Sequence, residues 1–424
     1  MIRRLLIAGL IFCASGAALA GQGQPRVEKL KYVLLVTRHG VRSPTWTPER
    51  LNQYSSEPWP DWEVAPGNLT SHGRMLMRLM GAYYREYFIS QGLLDPSGCV
   101  NAAGTYFWAD TDQRTLETAR ALSETILPGC NVKVQSLPEG KNDALFNPLD
   151  SGDVKMDPKL GLAAVQGRIG PSLDVLVDAH RTAFNTLNRI LNENGKAELQ
   201  VLNQRPALTA SETGVTMSGA LNLASTLSED FLLEYGNGWS GAKLGWGKLN
   251  AANLQEILSL HTAYAELVRR TPYLAKVRGS ILADRILHSL EQAVTDKETK
   301  GAFGAATTSL VVITGHDTNL SNLSGLLQLS WMLHGYPADD TPPGGALVFS
   351  VWQSGNSSDF DIRVQYIAQS PDQMHDAVPL SMANPPIVAE VFVPGCSTAQ
   401  KGFPCSWSAF QKVMNAAIDP AFVP

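Results

Sequence analysis

One short segment of the chain combines a histidine with two arginines and a glycine. The segment comprises Arg38, His39, Gly40, Val41, Arg42, Ser43 and Pro44. Each guanidinium group can bind two oxygens of a phosphate and keeps its positive charge at any working pH. The histidine ring offers a nucleophilic nitrogen, and the glycine allows the backbone to approach closely or turn sharply. The segment therefore predicts a site that binds phosphate groups and can react with them.

Three apolar runs along the chain end in polar residues that can do chemistry. The runs occupy residues 32–36, 106–109 and 309–314, and the polar residues that follow are Arg38, His39, Asp110, Arg114, His316 and Asp317. Short apolar runs of this kind are typical of strands buried on both faces, and such strand ends line the ligand crevice of an open α/β sheet. If the three strands are neighbours, these residues meet. A structural histidine with two surface arginines is the alternative, and the second His-Asp pair argues against it.

Helical patterns separate these predicted strands. Asn68 to Ser71 offers N-cap residues for one helix, and a second helix is expected from about Thr115 to Leu127. Long helical patterns fill the middle of the chain, and strands return at 346–352 and 361–367. We therefore predict an α/β domain from residues 21–155 and 300–424, with an inserted mainly helical domain at 156–299.

These motifs resemble those of histidine acid phosphatases, most closely the bacterial periplasmic phytases and acid phosphatases. The matching segments are 36–45, 109–115, 258–261, 315–320 and 341–345. The resemblance extends over nearly all of the chain after residue 20. It implies an α/β/α sandwich of the histidine phosphatase kind, with the active site in the cleft between that domain and the inserted one.

The resemblance also implies a role for each residue of the core site. His39 is expected to attack phosphorus and carry a phosphohistidine, and Asp317 to protonate the leaving oxygen and then help to activate water. The residues expected to bind the phosphoryl oxygens are Arg38, Arg42, Arg114 and His316. The scheme implies neither a metal nor an organic cofactor, and it favours activity at acidic pH.

Four further residues are candidates for the substrate pocket. In the phytase branch a basic residue often follows the Pro-Thr pair, whereas Trp46 follows Thr45 here, which weakens the case for a highly anionic substrate. Trp46 either stacks on substrate or is an ordinary core or loop aromatic. Glu229 matches a pocket acid of the phytases, although a glutamate on a helix is more often solvated. Asp110 either orients an active-site arginine or caps a helix.

The remaining histidines lack partner spacing, so we interpret them as structural or exposed. They are His72, His180, His261, His288, His334 and His375.

The expected partner is a small phosphomonoester, such as phytate or a sugar phosphate. A narrower glucose-1-phosphatase is the rival enzyme, and Gly40 argues mildly against it because that subgroup tends to carry asparagine there. An inert periplasmic binding protein is the rival from another class, but a binder has no need of a nucleophile and a proton donor together. The net charge of −5 argues against nucleic acid.

The first twenty residues predict a signal peptide, and with it a periplasmic or secreted protein. Arg3 and Arg4 precede an apolar stretch that is too short to span a membrane comfortably, and Ala18 and Ala20 form a small-x-small cleavage pattern. No later stretch is apolar enough to span a membrane. Four cysteines remain, and proximity favours two disulfides, Cys99 with Cys130 and Cys396 with Cys405. The cysteine and histidine spacing does not suit zinc.

Overall fold

The protein, described here from a computed structural model, is built around one large mixed sheet. The structure describes residues 28–355 and 359–424, so the predicted signal peptide lies outside the described residues. The strands are β1 (Glu28–Arg38), β2 (Thr105–Ala109), β3 (Val134–Gln135), β4 (Ala207–Ser211), β5 (Gly214–Ser218), β6 (Leu310–Gly315), β7 (Ala346–Ser354), β8 (Phe360–Ala368), β9 (Ile387–Val391) and β10 (Cys405–Ser406).

The helices lie between and beyond these strands. They are α1 (Pro48–Leu51), α2 (Ser71–Ser90), α3 (Gln113–Ile126), α4 (Pro158–Ile169), α5 (Asp174–Ala179), α6 (Arg181–Asn192), α7 (Ala220–Gly236), α8 (Ala251–Val268), α9 (Pro272–Thr295), α10 (Asp317–Leu327), α11 (Pro371–His375) and α12 (Trp407–Ala417). Among the described residues, none of these helices is both long and apolar enough to cross a bilayer.

The sheet places the three chemically important strand ends side by side. Its order is β10-β8-β7-β1-β6-β2-β3, with β9 also paired to β8. Strands β1, β6, β2 and β3 run parallel, while β7, β8, β9 and β10 join by antiparallel pairing. Because β6 lies between β1 and β2, the carboxyl ends of all three meet at one edge, which fulfils the condition on which the predicted convergence of these residues depended.

Helices cover the sheet on both faces. Alternate side chains of β1 point in opposite directions: Val33 and Leu35 pack with residues of α2 and α3, and Leu34 and Val36 pack with residues of α9, α10 and α12. All four of these side chains are almost completely buried, which explains why the strand reads as a continuous apolar run. The predicted α/β/α sandwich is confirmed.

The segment between β3 and β6 is mostly helical, but it also contains a short hairpin. Strands β4 and β5 pair antiparallel, and the helical patterns in this region contain no sign of this hairpin. Apart from Leu208, the residues of β4 are small or polar, and the strand alternates only between exposed and half-buried positions, so it carries a weak apolar signal. Helix α9 begins at Pro272 and packs against α10, α12 and β1.

Two disulfides tie together nearby segments of chain. Cys99 bonds to Cys130 before β3, and Cys396 bonds to Cys405 beside β10. Both pairs are the ones that sequence proximity favoured.

Candidate active site

The predicted nucleophile and the second histidine follow two adjacent parallel strands. Arg38 pairs in register with Gly315, so His39 and His316 leave the sheet at neighbouring positions. The backbone N–H of His39 donates to the carbonyl of Gly315 over 2.9 Å, and the two imidazole rings lie 5.6 Å apart between centroids. The sheet edge therefore brings the two histidine motifs together.

One ring nitrogen of His39 is free to react. Its Nδ1 lies 2.8 Å from the carbonyl oxygen of Gly40, and a carbonyl can only accept, so Nδ1 carries the hydrogen and Nε2 carries the lone pair. Burial lowers the pKa of this imidazole well below its ordinary value, and the positive charges of Arg38, Arg114 and Arg42 lower it further. The ring therefore stays neutral and nucleophilic at acidic pH.

Arg38 and Arg42 flank His39, and one carboxylate bridges them. Glu229 on α7 accepts a hydrogen bond from Arg38 and lies 3.3 Å from Nη2 of Arg42. Arg38 also donates to the carbonyl of Thr341 over 2.6 Å. Burial alone would raise the pKa of Glu229, but the two arginines lower it to about 2. Glu229 is thus an ionised side chain within the cationic cluster and not a solvated glutamate.

Asp110 holds His316 in place rather than an arginine. Its Oδ2 accepts from Nε2 of His316 over 2.7 Å and from the side-chain amide of Asn147 over 2.8 Å. Nη2 of Arg114 lies 3.4 Å from Nδ1 of His316, so that nitrogen accepts and Nε2 carries the hydrogen. Asp110 does not cap α3 either, because the N-cap position belongs to Asp112.

Asp317 begins α10 and is paired with a cation that the sequence motifs did not include. Arg269, directly after α8, donates to Oδ2 of Asp317, and Nε2 of His261 lies 3.7 Å from the same oxygen. Burial would raise the pKa of Asp317, but Arg269, Arg38 and His261 hold it well below its usual range. Paired with Arg269 in this way, Asp317 is a carboxylate and has no proton to give.

The remaining pocket candidates lie along the loop after Arg42. Thr45 is exposed, and the ring of Trp46 is covered by the guanidinium of Arg50 at 3.5 Å and lies 6.1 Å from the ring of Tyr54. Trp46 lines a cavity of about 110 Å³ whose walls include Ser43, Pro44, Trp59 and Trp62. The cavity starts beside the phosphate-binding segment, because Ser43 directly follows Arg42.

Two residues at the site were missed by reasoning from sequence. Arg269 and Asp317 are 48 residues apart, and an arginine at the end of a helical pattern gives no sign of such a partner. His261 was interpreted as structural or exposed, whereas it is 3% exposed, contacts Ser225 through Nδ1 and directs Nε2 toward Asp317. Its position in the segment 258–261, which matched the family, was the available signal.

Within residues 28–355 and 359–424, two groups of side chains have ligand atoms close enough for a metal ion. They are Asp110, Asp112 and His316, and Glu229, His261 and Asp317. Guanidinium groups already contact three of these carboxylates: Arg114 lies 2.5 Å from Asp112, Arg269 pairs with Asp317 and Arg38 pairs with Glu229. Carboxylates in both groups are therefore already paired with arginines, and such a site suits an anion better than a metal cation.

Comparison with known proteins identifies the class that this fold and site define. Residues 29–367 match the histidine phosphatase superfamily (branch 2). The chain therefore belongs to this family, and it is a phosphomonoester hydrolase of the histidine acid phosphatase kind, as its motifs predicted.

Individual relatives agree with this assignment. Phytase AppA from Escherichia coli (strain K12) is 35% identical over 413 residues, which cover 94% of each chain. A glucose-1-phosphatase from Providencia rettgeri is 26% identical over 98% of each chain. The structure of Hafnia alvei phytase in complex with myo-inositol hexakis sulphate superimposes with a TM-score of 0.86 at 31% identity, covering 95% of this chain and all of that one.

Proposed function

We propose that this phosphatase acts on inositol polyphosphates and related small phosphomonoesters, with His39 as nucleophile. The observation that carries the proposal is the environment of His39, a neutral imidazole with a free Nε2 among three arginines. Arg38, Arg42 and Arg114 can hold the phosphoryl oxygens and stabilise the charge that develops in the transition state. His316 can join them when both of its ring nitrogens carry a hydrogen, because Nε2 already donates to Asp110 and Nδ1 is the nitrogen left for phosphate.

The proposed reaction has two steps. The Nε2 lone pair of His39 forms a bond to phosphorus while the bond to the ester oxygen breaks, and that oxygen takes the proton of the Asp317 carboxyl group. Water then attacks the phosphohistidine, the Asp317 carboxylate takes a proton from that water, and the nitrogen–phosphorus bond breaks. The products are the alcohol, orthophosphate and the original His39.

Phosphate must displace Glu229 or share the arginines with it. The carboxylate contacts the two guanidinium groups that would bind the phosphoryl oxygens. Because the carboxylate stays ionised across the acidic range, it competes with phosphate at every working pH. The Glu229 carboxylate otherwise neutralises these two buried arginines.

A phytase-like substrate range is favoured over that of a narrow glucose-1-phosphatase. The more similar curated relative is a phytase, and the Hafnia alvei phytase was solved with an inositol hexakis sulphate. A Cβ at Gly40 would lie 2.8 Å from Cγ of Met77 and 3.1 Å from the carbonyl oxygen of Gly73, so the asparagine of the glucose-1-phosphatase subgroup would require the Met77 side chain to shift. Trp46 still argues against a polyanionic substrate, because it stands where the phytase branch often has a basic residue that could bind one.

We also propose that the site lies between two domains and that the protein is exported. Strand ends supply His39 and His316 and the start of α3 supplies Arg114, whereas the helical segment supplies Glu229, His261 and Arg269, which supports a cleft between them. Because α9 packs against the sheet, we place the end of the inserted domain before α9. The two disulfides support a periplasmic or secreted location.

The test is phosphate release from phytate, glucose 1-phosphate and p-nitrophenyl phosphate at acidic pH. The wild type is compared with His39→Ala and with His334→Ala, a matched control at an exposed histidine. We expect phytate to give the highest kcat/KM, His39→Ala to be inactive and the control to equal wild type. A preference for glucose 1-phosphate would favour the narrower phosphatase, and a wild type inactive on all three esters would favour the binding protein.

A further inference from the structure

The proposed proton donor and Arg269 form a contact that conflicts with proton donation. Arg269 donates a hydrogen bond to the Asp317 carboxylate, and both side chains are largely buried, with 17% and 13% of their surface exposed. A protonated Asp317 would lose most of its attraction to the guanidinium group. Arg269 and a proton therefore compete for the same carboxylate oxygen.

The surroundings of Asp317 contribute positive charge from several elements. The ionisable groups whose charges interact with it are Arg38 on β1, Arg114 on α3, Glu229 on α7, His261 and Tyr264 on α8, Arg269 directly after α8, and Tyr366 on β8. Arg38 and Arg114 are needed for the scissile phosphate, and Glu229 already pairs with Arg38. Arg269 is the cation in this set that donates a hydrogen bond to Asp317 itself. Arg269 must therefore move away from Asp317 before the carboxylate can take up a proton.

We propose that Arg269 is a specificity-determining residue that makes proton donation by Asp317 depend on a second anionic group of the substrate. A phosphate next to the scissile one would bind Arg269 and draw it off Asp317, which then takes up the proton for the leaving oxygen. A substrate with a single phosphate leaves the ion pair in place. The inference rests on the proposed function, in which Asp317 is the proton donor, and extends it to a preference for substrates with neighbouring phosphates.

Thermodynamic linkage predicts the direction in which a neighbouring phosphate changes the protonation of Asp317. If protonation of Asp317 weakens its hold on Arg269, then an anion that binds Arg269 must favour protonation of Asp317 by the same free energy. Activity that requires a protonated carboxyl group falls as the pH rises through the pKa of that group. The falling side of the pH profile should therefore lie at higher pH for a substrate with neighbouring phosphates than for one without them.

The experiment compares two substrates that share one leaving group. The kcat of the wild type is measured against pH with phytate and with myo-inositol 1-phosphate, in which an inositol oxygen leaves in both cases. The same profiles are measured for Arg269→Gln, for Arg269→Lys, which keeps a cation, and for Arg168→Gln. Arg168 is the matched control, because its guanidinium hydrogen-bonds to Glu266 and Thr271 near the same helix end.

We expect the wild-type profile to fall at higher pH with phytate than with the monophosphate. In Arg269→Gln the falling sides of the two pH profiles should coincide. Above the pH at which wild-type activity on the monophosphate falls, the variant should be about tenfold more active on this substrate, which is a modest part of what a general acid contributes. Arg269→Lys should restore the gap, and Arg168→Gln should retain it. A purely structural ion pair would change stability or overall activity without moving this gap.

Two results would overturn this inference and leave the proposed function intact. One is a wild type whose profiles fall at the same pH with both substrates, a comparison that needs no variant to fold. The other is an active Arg269→Gln protein that keeps the wild-type gap. A wild type that releases phosphate from neither ester at any pH would instead refute the proposed function, and the inference with it.

Discussion

Glu229 accepts a hydrogen bond from Arg38, so a helix of the central segment contacts the residue that directly precedes the proposed nucleophile. The same carboxylate lies 3.3 Å from Arg42, and its pKa of about 2 keeps it ionised. The site thus contains its own anion at the place where phosphate is proposed to bind. This relationship makes phosphate affinity and protein stability depend on one side chain.

Replacing Glu229 by glutamine should strengthen phosphate binding while weakening the ligand-free fold. Loss of the carboxylate leaves Arg38 and Arg42 without their shared counter-ion, which destabilises the protein and increases the attraction for an added anion. We expect the inhibition constant of orthophosphate to fall by about tenfold, or about 1.4 kcal/mol. Thermal unfolding should show a lower Tm that added phosphate raises more than in wild type. An unchanged or larger inhibition constant would contradict the competition.

Removing the Asp110 carboxylate should impair catalysis through His316. Asp110 accepts from Nε2 of His316 and from Asn147, which fixes the ring and its tautomer. We expect Asp110→Ala to lower kcat/KM by about tenfold to a hundredfold, as loss of an outer-shell partner typically does. Asp110→Asn, which keeps an acceptor oxygen, should retain more activity. Equal losses in the two variants would show that the negative charge matters more than the position of the ring.

Asp230 should make the protein less stable as the pH rises. Burial raises the pKa of this carboxyl group well above its ordinary value, and Oδ2 has no hydrogen-bond partner among the described residues. A group whose pKa is raised by folding contributes stability below its unfolded pKa and loses it as the pH rises through the folded value. Asp230→Asn should therefore raise the Tm at pH 7.5 relative to wild type, but not at pH 4.

Differential scanning calorimetry at the two pH values would measure this difference. Each kcal/mol corresponds to roughly 2–4 °C in domains of ordinary size, so the change should be resolved. The exposed residue Asp153 gives a matched control, since Asp153→Asn removes the same charge without any effect of burial. If Asp230→Asn changes the Tm equally at both pH values, Asp230 is not a neutral acid in the fold.

The sheet edge could be predicted from sequence because its signals are local. Each of β1, β2 and β6 is a short apolar run, and the reactive residues follow within a few positions. Parallel strands with both faces covered show this pattern whatever their order. The order itself, with β6 between β1 and β2, depends on pairing across more than 200 residues and could only be assumed.

Contacts between the helical segment and the sheet edge could not be predicted in the same way. The pairing of Arg269 with Asp317 and the bridge from Glu229 to Arg42 each depend on how a helix packs against the sheet edge in the folded protein. An arginine or glutamate on a helix has the same local sequence signature whether it is solvated or lies in an active site. Asp110 lies at the sheet edge, but its side chain pairs with His316 and not with an arginine.

The most direct test of the account is to trap the phosphoenzyme in Asp317→Asn. The p-nitrophenolate group leaves without help from an acid, so this variant should still form phosphohistidine, whereas its hydrolysis, which needs the carboxylate, should be slow. Rapid quenching with p-nitrophenyl phosphate, followed by mass spectrometry under alkaline conditions, should find one phosphate per molecule on the peptide that contains His39. Phosphate on another residue, or turnover without a covalent intermediate, would contradict the account.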